Sequence, residues 1–560
     1  MYNFTTRTLF LFPSFSLDQE EQEKLDRFLL FLEESGVSKI LNSVNTKCSA
    51  NGGRPEYNPC HLLATILYGF AFGSGTLRDI ESACHFDLRY IYLMDQERPS
   101  FKTFSNFINK YIVPNSDQIF FTLVYHLLQT LGIHHDAVFI DGTKIEADAN
   151  KYKFVWKPTT FHLCLSDKIR TLLTDVSLER GIPKEGIIDS KQIAEKMTEF
   201  HNVLTNVNPD EEKIRRKRYD QLKQYLLKSL EYEEKERICG PNRNSYFKTD
   251  HDATAMTLKT DYYSGLGSNM HAAYNVQIAV EKGIVTAYLV TQSRSDYKDF
   301  IPLIEKMNTF YQRYPGKLCA DAGYGSLENY RYLHDHGIKN FVKHSSWEGN
   351  VSGRNPDKCR IQEDGTIKCL NEKQGQSIEI KGRHPKRSGD AFYKVEGCNS
   401  CAFKDYCKQR MKIKDQDYRV FELNPEFRRY KQEGEQNLLS IEGIEMRVNR
   451  SIEVEGAFGV IKEDMRYTRF RRTKLERVST EFMLTVLGYD IRKLFRYFDG
   501  KWKSGYWQAP KDIKPEKFKK PSAKRLSNRV KKKQSKSKNQ EAKDSYKHKY
   551  HKKKRLCNPD

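Results

Sequence analysis

Twice in this chain a short apolar run ends in an aspartate that is followed, at once or after one small residue, by glycine. The runs are Val138-Phe139-Ile140-Asp141-Gly142 and Leu318-Cys319-Ala320-Asp321-Ala322-Gly323. Ala137, Phe139 and Asp141 alternate with Val138 and Ile140, the period of two that belongs to a strand leaving a core. Two carboxylates at the ends of neighbouring strands would share divalent ions, because hard Mg²⁺ prefers oxygen ligands and keeps positions open for phosphate and water. Each acid alone is weak evidence, since an Asp after a strand is commonly a turn or N-cap residue.

The surrounding pattern predicts an α/β sheet. A hairpin is expected from Tyr274 to Val280 and from Ile284 to Val290, turning at Glu281-Lys282-Gly283. An amphipathic helix from Tyr297 to Tyr311 should follow, then a strand from Lys317 to Asp321, a helix from Leu327 to His336 and a strand from Asn340 to Lys343. Upstream, residues 20–131 read as helical, with Leu63, Leu67, Phe70 and Ala71 at three- and four-residue intervals and a second set at Phe101, Phe104 and Phe107. A DNA-binding helix-turn-helix and a plain helical bundle fit this periodicity equally. The expected organisation is a helical N-terminal domain over 1–135, a core over 136–498 with inserts at about 151–265 and 345–440, and a basic, unfolded tail over 499–560.

Charge narrows the partners. With 95 Lys and Arg against 73 Asp and Glu, the 560 residues carry +22, and clustered cations gain free energy by releasing counterions from nucleic acid. Residues 511–560 hold 20 Lys or Arg and 5 Asp or Glu, so 20 − 5 = +15 of that excess lies in the tail. No run of eighteen apolar residues and no secretion signal occurs, so the expectation is a cytoplasmic protein associated with the nucleoid, without a membrane role.

A third acid is expected from a helix laid on the sheet. Val454, Phe458, Ile461 and Met465 give that helix an apolar stripe, and Glu455, Gly459 and Lys462 would project together from another face. Such a helix presents a carboxylate for metal and a lysine for phosphate, although a helical Glu is more often simply solvated.

The segments Ile140 to Lys151, Asp250 to Tyr274, Asp296, Asp321 to Tyr324 and Arg450 to Lys462 resemble the DDE transposases of bacterial insertion sequences, which have an RNase H-like catalytic core. The insertion-sequence eleven-eighty-two type is the closest branch, and the likeness runs from about residue 20 to about residue 498. It implies Asp141, Asp321 and Glu455 as the catalytic triad, holding two Mg²⁺ or Mn²⁺ ions, with Arg450 and Lys462 on DNA. Double-stranded DNA, as transposon ends and target, is the implied partner, bound by a homodimer. In the family's signature a Tyr is followed after two residues by Arg, after three more by Glu and after six more by Lys. Glu455 and Lys462 fit; Arg450 lies one residue too far from Glu455, no Tyr precedes it at the required offset, and Glu453 is a rival ligand. A host nuclease on the same fold, or a domesticated DNA-binding protein without catalysis, are the alternative readings.

Two features lie in the second insert. Cys398, Cys401 and Cys407, with Cys369 or Cys359 as a fourth, have a knuckle-like spacing that suits a structural zinc ion, and equally suits reduced cysteines in a loose insert. Trp347 is read as an interface tryptophan ahead of a base-stacking one.

Overall fold

The computed structural model describes residues 2–5, 17–43, 56–204, 209–258, 270–408, 417–503 and 505–532. Its strands in chain order are β1 (Ala137–Glu146), β2 (Phe154–Trp156), β3 (Ser245–Phe247), β4 (Thr254–Thr257), β5 (Met270–Glu281), β6 (Ile284–Thr291), β7 (Lys317–Ala320) and β8 (Lys339–Asn340). After them come β9 (Cys359–Ile361), β10 (Ile367–Cys369), β11 (Gln374–Ile378), β12 (Ala391–Glu396) and β13 (Tyr418–Leu423).

The central sheet is mixed. β5 pairs antiparallel with β1 on one side and with β4 and β6 on the other, while β1, β7 and β8 are parallel neighbours. Parallel strands need crossover connections, and helices Phe300–Tyr311 and Leu327–Asp335 supply them between β6, β7 and β8. The β5–β6 hairpin turns on Lys282 and Gly283, whose φ values of 49° and 79° match the twist of the flanking strands. β1 runs further than the alternation predicts. Because β5 is twelve residues long and pairs as far as Glu146, Asp141 sits inside a strand instead of at its end.

Helices between Gln19 and Thr130 form the N-terminal part, as the periodicity predicts. They share one continuous apolar core with the sheet and with the long helix Leu475–Phe498. At Gly488 that helix lies so close to Phe70 that an added Cβ would stand 2.7 Å from the Phe70 backbone, which has no freedom to move aside. Among the described residues no single helix is long and apolar enough to cross a membrane.

Both inserts are small folded units. In the first, helices Thr159–Asp175, Ser190–Val203 and Pro209–Cys239 enclose their own core of Ile169, Leu173, Ile193, Phe200 and Leu222. The second is an antiparallel sheet in the order β13-β12-β11-β10-β9 over Ile361, Ile367, Tyr393 and Val395. The tail also differs from an unfolded one starting at 499: as far as residue 532 it is held against the body. Glu516 N–H donates to Leu439 O at 2.8 Å, Lys519 N–H to Val351 O at 3.0 Å, and Leu526 and Val530 are buried with Tyr406. The lysine runs after residue 532 lie outside the described residues, as does 259–269 of the segment between Asp250 and Tyr274.

Candidate active site

Register brings the first two acids together. Ile140 on β1 is level with Ala320 at the end of β7, so Asp141, the next residue on β1, and Asp321, the first residue past β7, follow side by side. Asp141 keeps 19% of its side chain exposed, and its carboxylate accepts the Gly142 N–H at 2.9 Å. Asp321 opens a short turn, Ala322–Tyr324, with its carboxylate exposed and accepting no hydrogen bond from any described residue.

The third acid comes from a helix that begins as Ile441–Arg450, widens into a π-helical turn at Ser451–Glu455, returns to α at Gly456–Gly459 and widens again at Val460–Asp464. Val454, Ala457, Phe458 and Ile461 are its buried side, close to the expected stripe. Arg450 projects from it between the acids: Nη1 lies 3.3 Å from Asp141 Oδ2, and Nη2 lies 2.9 Å from Glu455 Oε1. Only 11% of the Arg450 side chain is exposed, and burial works against its charge. The Asp141, Asp321 and Glu455 carboxylates outweigh burial and hold the guanidinium above its ordinary pKa. Lys462 Nζ donates to Thr143 Oγ1 at 2.5 Å, which sets the lysine two residues along β1 from Asp141 and on the same face.

Glu453 faces another way. It is buried, it accepts the Gly283 N–H in the β5–β6 turn, and burial pushes its carboxyl up. Glu455, by contrast, is 54% exposed beside Arg450.

Behind the two aspartates lies a polar network around Asp296 whose other members, Asn275 and Gln277, sequence reasoning missed. Gln277 stands opposite Gly142, where any Cβ would fall about 2.2 Å from its amide. Its Nε2 donates to Asp296 Oδ1 at 3.0 Å, and its Oε1 accepts the Tyr324 hydroxyl. Asn275 donates to Asp296 Oδ1 at 2.9 Å and to Asp299 Oδ2 at 3.1 Å. Burial pushes Asp299 up to about 6, against the opposing hydrogen bond from Thr291. A signal was available: Asn275 and Gln277 are two polar residues at i and i+2 in an otherwise apolar strand, and both are fully buried.

The other singled-out residues separate into two groups. Cys369, Cys398, Cys401 and Cys407 line one small apolar cavity with Phe403 and Arg419, whereas Cys359 is not on it. Among the described residues, no three His, Cys, Asp or Glu side chains stand in a geometry that holds a metal ion. Trp347 is buried against His344, Phe518 and the Arg447 guanidinium, so it is a packing residue with no face open to a base.

Comparison with known proteins adds two matches. Residues 368–495 match the family model described as Transposase DDE domain, a span that contains Arg450, Glu455, Lys462 and the four cysteines but neither Asp141 nor Asp321. Residues 16–110, most of the N-terminal helices, match the model described as Transposase domain (DUF772). No curated protein and no solved structure matches the chain. Two separate parts of this chain, the N-terminal helices and the segment that carries the third acid, are thus similar to transposase domains, and together they support a transposase role.

Proposed function

We propose that this protein is a DDE transposase with an RNase H-like core, of the insertion-sequence eleven-eighty-two type, that cleaves and rejoins DNA at the ends of its element. The observation that carries the reading is the register of β1 and β7, which sets Asp141 beside Asp321 while Arg450 ties Asp141 to Glu455. The strand order β6-β5-β1-β7-β8, three antiparallel strands followed by two parallel ones, supports the RNase H-like fold.

The donor set fits a hard divalent cation in its chemistry. All three acids offer oxygen, and Asp321 presents an exposed carboxylate with no competing partner among the described residues. Asp141, Asp321 and Glu455 would hold two Mg²⁺ or Mn²⁺ ions, which supply charge neutralisation at the scissile phosphate and activation of its nucleophile. Arg450 neutralises Asp141 and Glu455 and fixes where Glu455 stands. Lys462, beside Asp141 on β1, would bind a phosphate of the strand being cut. DNA ends and target DNA are the partners in this reading, with a homodimer on the DNA in the cytoplasm. A structural zinc ion in the second insert belongs to the same reading, on the knuckle-like spacing of Cys398, Cys401 and Cys407 with Cys369 as the fourth thiol.

Cleavage of labelled element-end DNA tests the reading. Asp141→Asn, Asp321→Asn and Glu455→Gln should each lose cleavage by about a thousandfold, since oxyanion-type stabilisation is worth that much, while still binding the ends. Glu453→Gln should cleave as the wild type does. Wild-type cleavage by Asp141→Asn or Asp321→Asn sinks the proposal. A wild-type protein that cuts without joining ends is a nuclease, and one that binds without cutting is a domesticated DNA-binding protein.

A further inference from the structure

On the other side of the helix that carries Glu455, a groove opens between the β5–β6 turn and the last turns of helix Leu475–Phe498. Five cations line it: Lys282 from the turn, Lys493 and Arg496 from the helix, and Lys501 and Lys503 from the strap that follows. The one carboxylate among its lining residues, Glu453, is buried and bonded to the Gly283 N–H. Lys501 leans on Asp499 at 3.5 Å, and none of Lys282, Arg496 and Lys503 forms an ion pair among the described residues.

Asp490, one turn from Lys493, is fully buried and turned inward onto the Val285 N–H at 2.9 Å, and burial pushes its carboxyl far above the ordinary range. Lys493 is held below the ordinary lysine range by burial and then by the neighbouring Arg496 cation. Cations crowded on three chain segments gain most from an anion that spans all three. Gly456 also lines the groove, and nothing lies within 4 Å of where its Cβ would be, so the helix backbone is open to a close approach. Val460, Tyr489, Lys493 and Arg496 continue into an adjoining cleft of mixed charge, where Glu21, Asp464 and Asp499 stand beside Lys24 and Arg89, and those two cations are paired with Asp499 and Asp87.

We propose that this groove binds the sugar–phosphate backbone of duplex DNA, as a contact surface separate from the carboxylates that cut it. The inference rests on the transposase reading above, because that reading makes DNA the polyanion at hand. Backbone contact of this kind positions a duplex without reading its sequence. The groove would therefore hold DNA apart from the cleavage point, against the β5–β6 turn and the end of helix Leu475–Phe498.

The test compares the full-length protein with the combined variant Lys282→Gln, Arg496→Gln, Lys501→Gln, Lys503→Gln. A control variant loses the same charge at four exposed lysines of the first insert, Lys213→Gln, Lys217→Gln, Lys223→Gln, Lys228→Gln. Binding to a 40-base-pair duplex, unrelated to any element end, is titrated with salt. Each phosphate contact contributes about 0.9 to the slope of log affinity against log salt, so the groove variant should lose roughly 2 to 4 and the control less than about 1. Lysine acylation of the unmutated protein gives a second readout, independent of how the variants fold: DNA should protect Lys282, Lys501 and Lys503. Equal slopes for the wild type and the groove variant, or DNA binding that leaves those three lysines unprotected, overturn the groove alone. Protection by phosphatidylserine vesicles but not by duplex also overturns it. If the wild type binds no duplex at all, the transposase reading fails with it.

Discussion

Arg450 and Glu455 meet at 2.9 Å although five residues separate them along one helix. On a regular α-helix five residues turn through roughly 500°, leaving the two side chains about 140° apart. The π-helical turn at Ser451–Glu455 absorbs one extra residue and brings positions i and i+5 onto one face. The spacing of five between Arg450 and Glu455, where the signature of the family it resembles has four, is accommodated by this local widening. π-turns inside α-helices recur at functional sites, and this one fixes which carboxylate Arg450 holds.

If the widened turn is only an accommodated insertion, deleting Ser451 should return the segment to α-helix with Arg450 four residues before the same glutamate. That protein should melt within a few degrees of the wild type and keep cleaving element ends. Arg450→Lys keeps the charge but lacks the planar fork that reaches two carboxylates, so its cleavage should fall by at least about tenfold. A Ser451 deletion that folds but does not cleave would show that the π-turn itself is required.

Much of this was legible in the residues, and the gaps have physical causes. Period two with apolar termini marked β1 and β7, and period 3.6 marked the N-terminal helices, because both patterns answer to one-sided burial. The extent of β1 past Asp141 was not legible, since Gly142, Thr143 and Lys144 carry no apolar alternation and are held by pairing with β5. Strands β9–β13 are short and half exposed, so their period is too weak to read. Asp141, Asp321 and Glu455 stood out from their strand and helix contexts. The support behind them, Asn275, Gln277 and Asp296, depends on which strand faces which, and that is set by pairing over long sequence separations.

Residues 533–560 hold 10 Lys or Arg and 3 Asp or Glu, a net 10 − 3 = +7, whereas 511–532 pack on the second insert through Phe518 and Leu526 and on helix Ile441–Arg450 through Glu516. Truncation after 532 should flatten the salt dependence of DNA binding, because it removes a net +7. Truncation after 510 should also lower the melting temperature, because it uncovers Trp347 and Tyr406. Equal melting of the two truncations would show that 511–532 does not stabilise the body.

The cysteine cavity predicts about one zinc per chain by elemental analysis of protein purified without chelator. Replacing Cys398 or Cys401 with Ser should remove the metal and lower the melting temperature of the second insert, while Cys359→Ser, off the cavity, should keep it. A zinc-free preparation that cleaves fully when given Mg²⁺ would leave the four thiols as packing residues.

Asp299 gives the fold a pH dependence whose sign follows from burial. It is 4% exposed and accepts hydrogen bonds from Thr291 and Asn275, yet its carboxyl titrates near 6 against an unfolded value of 3.8. The folded state therefore holds the proton more tightly, so this group's contribution is fully present below about pH 4 and is lost as pH rises through 6. Asp299→Asn keeps an acceptor for both donors and removes the charge. Relative to the wild type, the variant should gain stability progressively between pH 4 and pH 7. The gain has an upper limit of about 3 kcal/mol, two pKa units at about 1.4 kcal/mol each. Melting curves of both proteins across that range decide it: a difference that stays constant with pH means that Asp299 is ionised throughout and that its hydrogen bonds outweigh its burial.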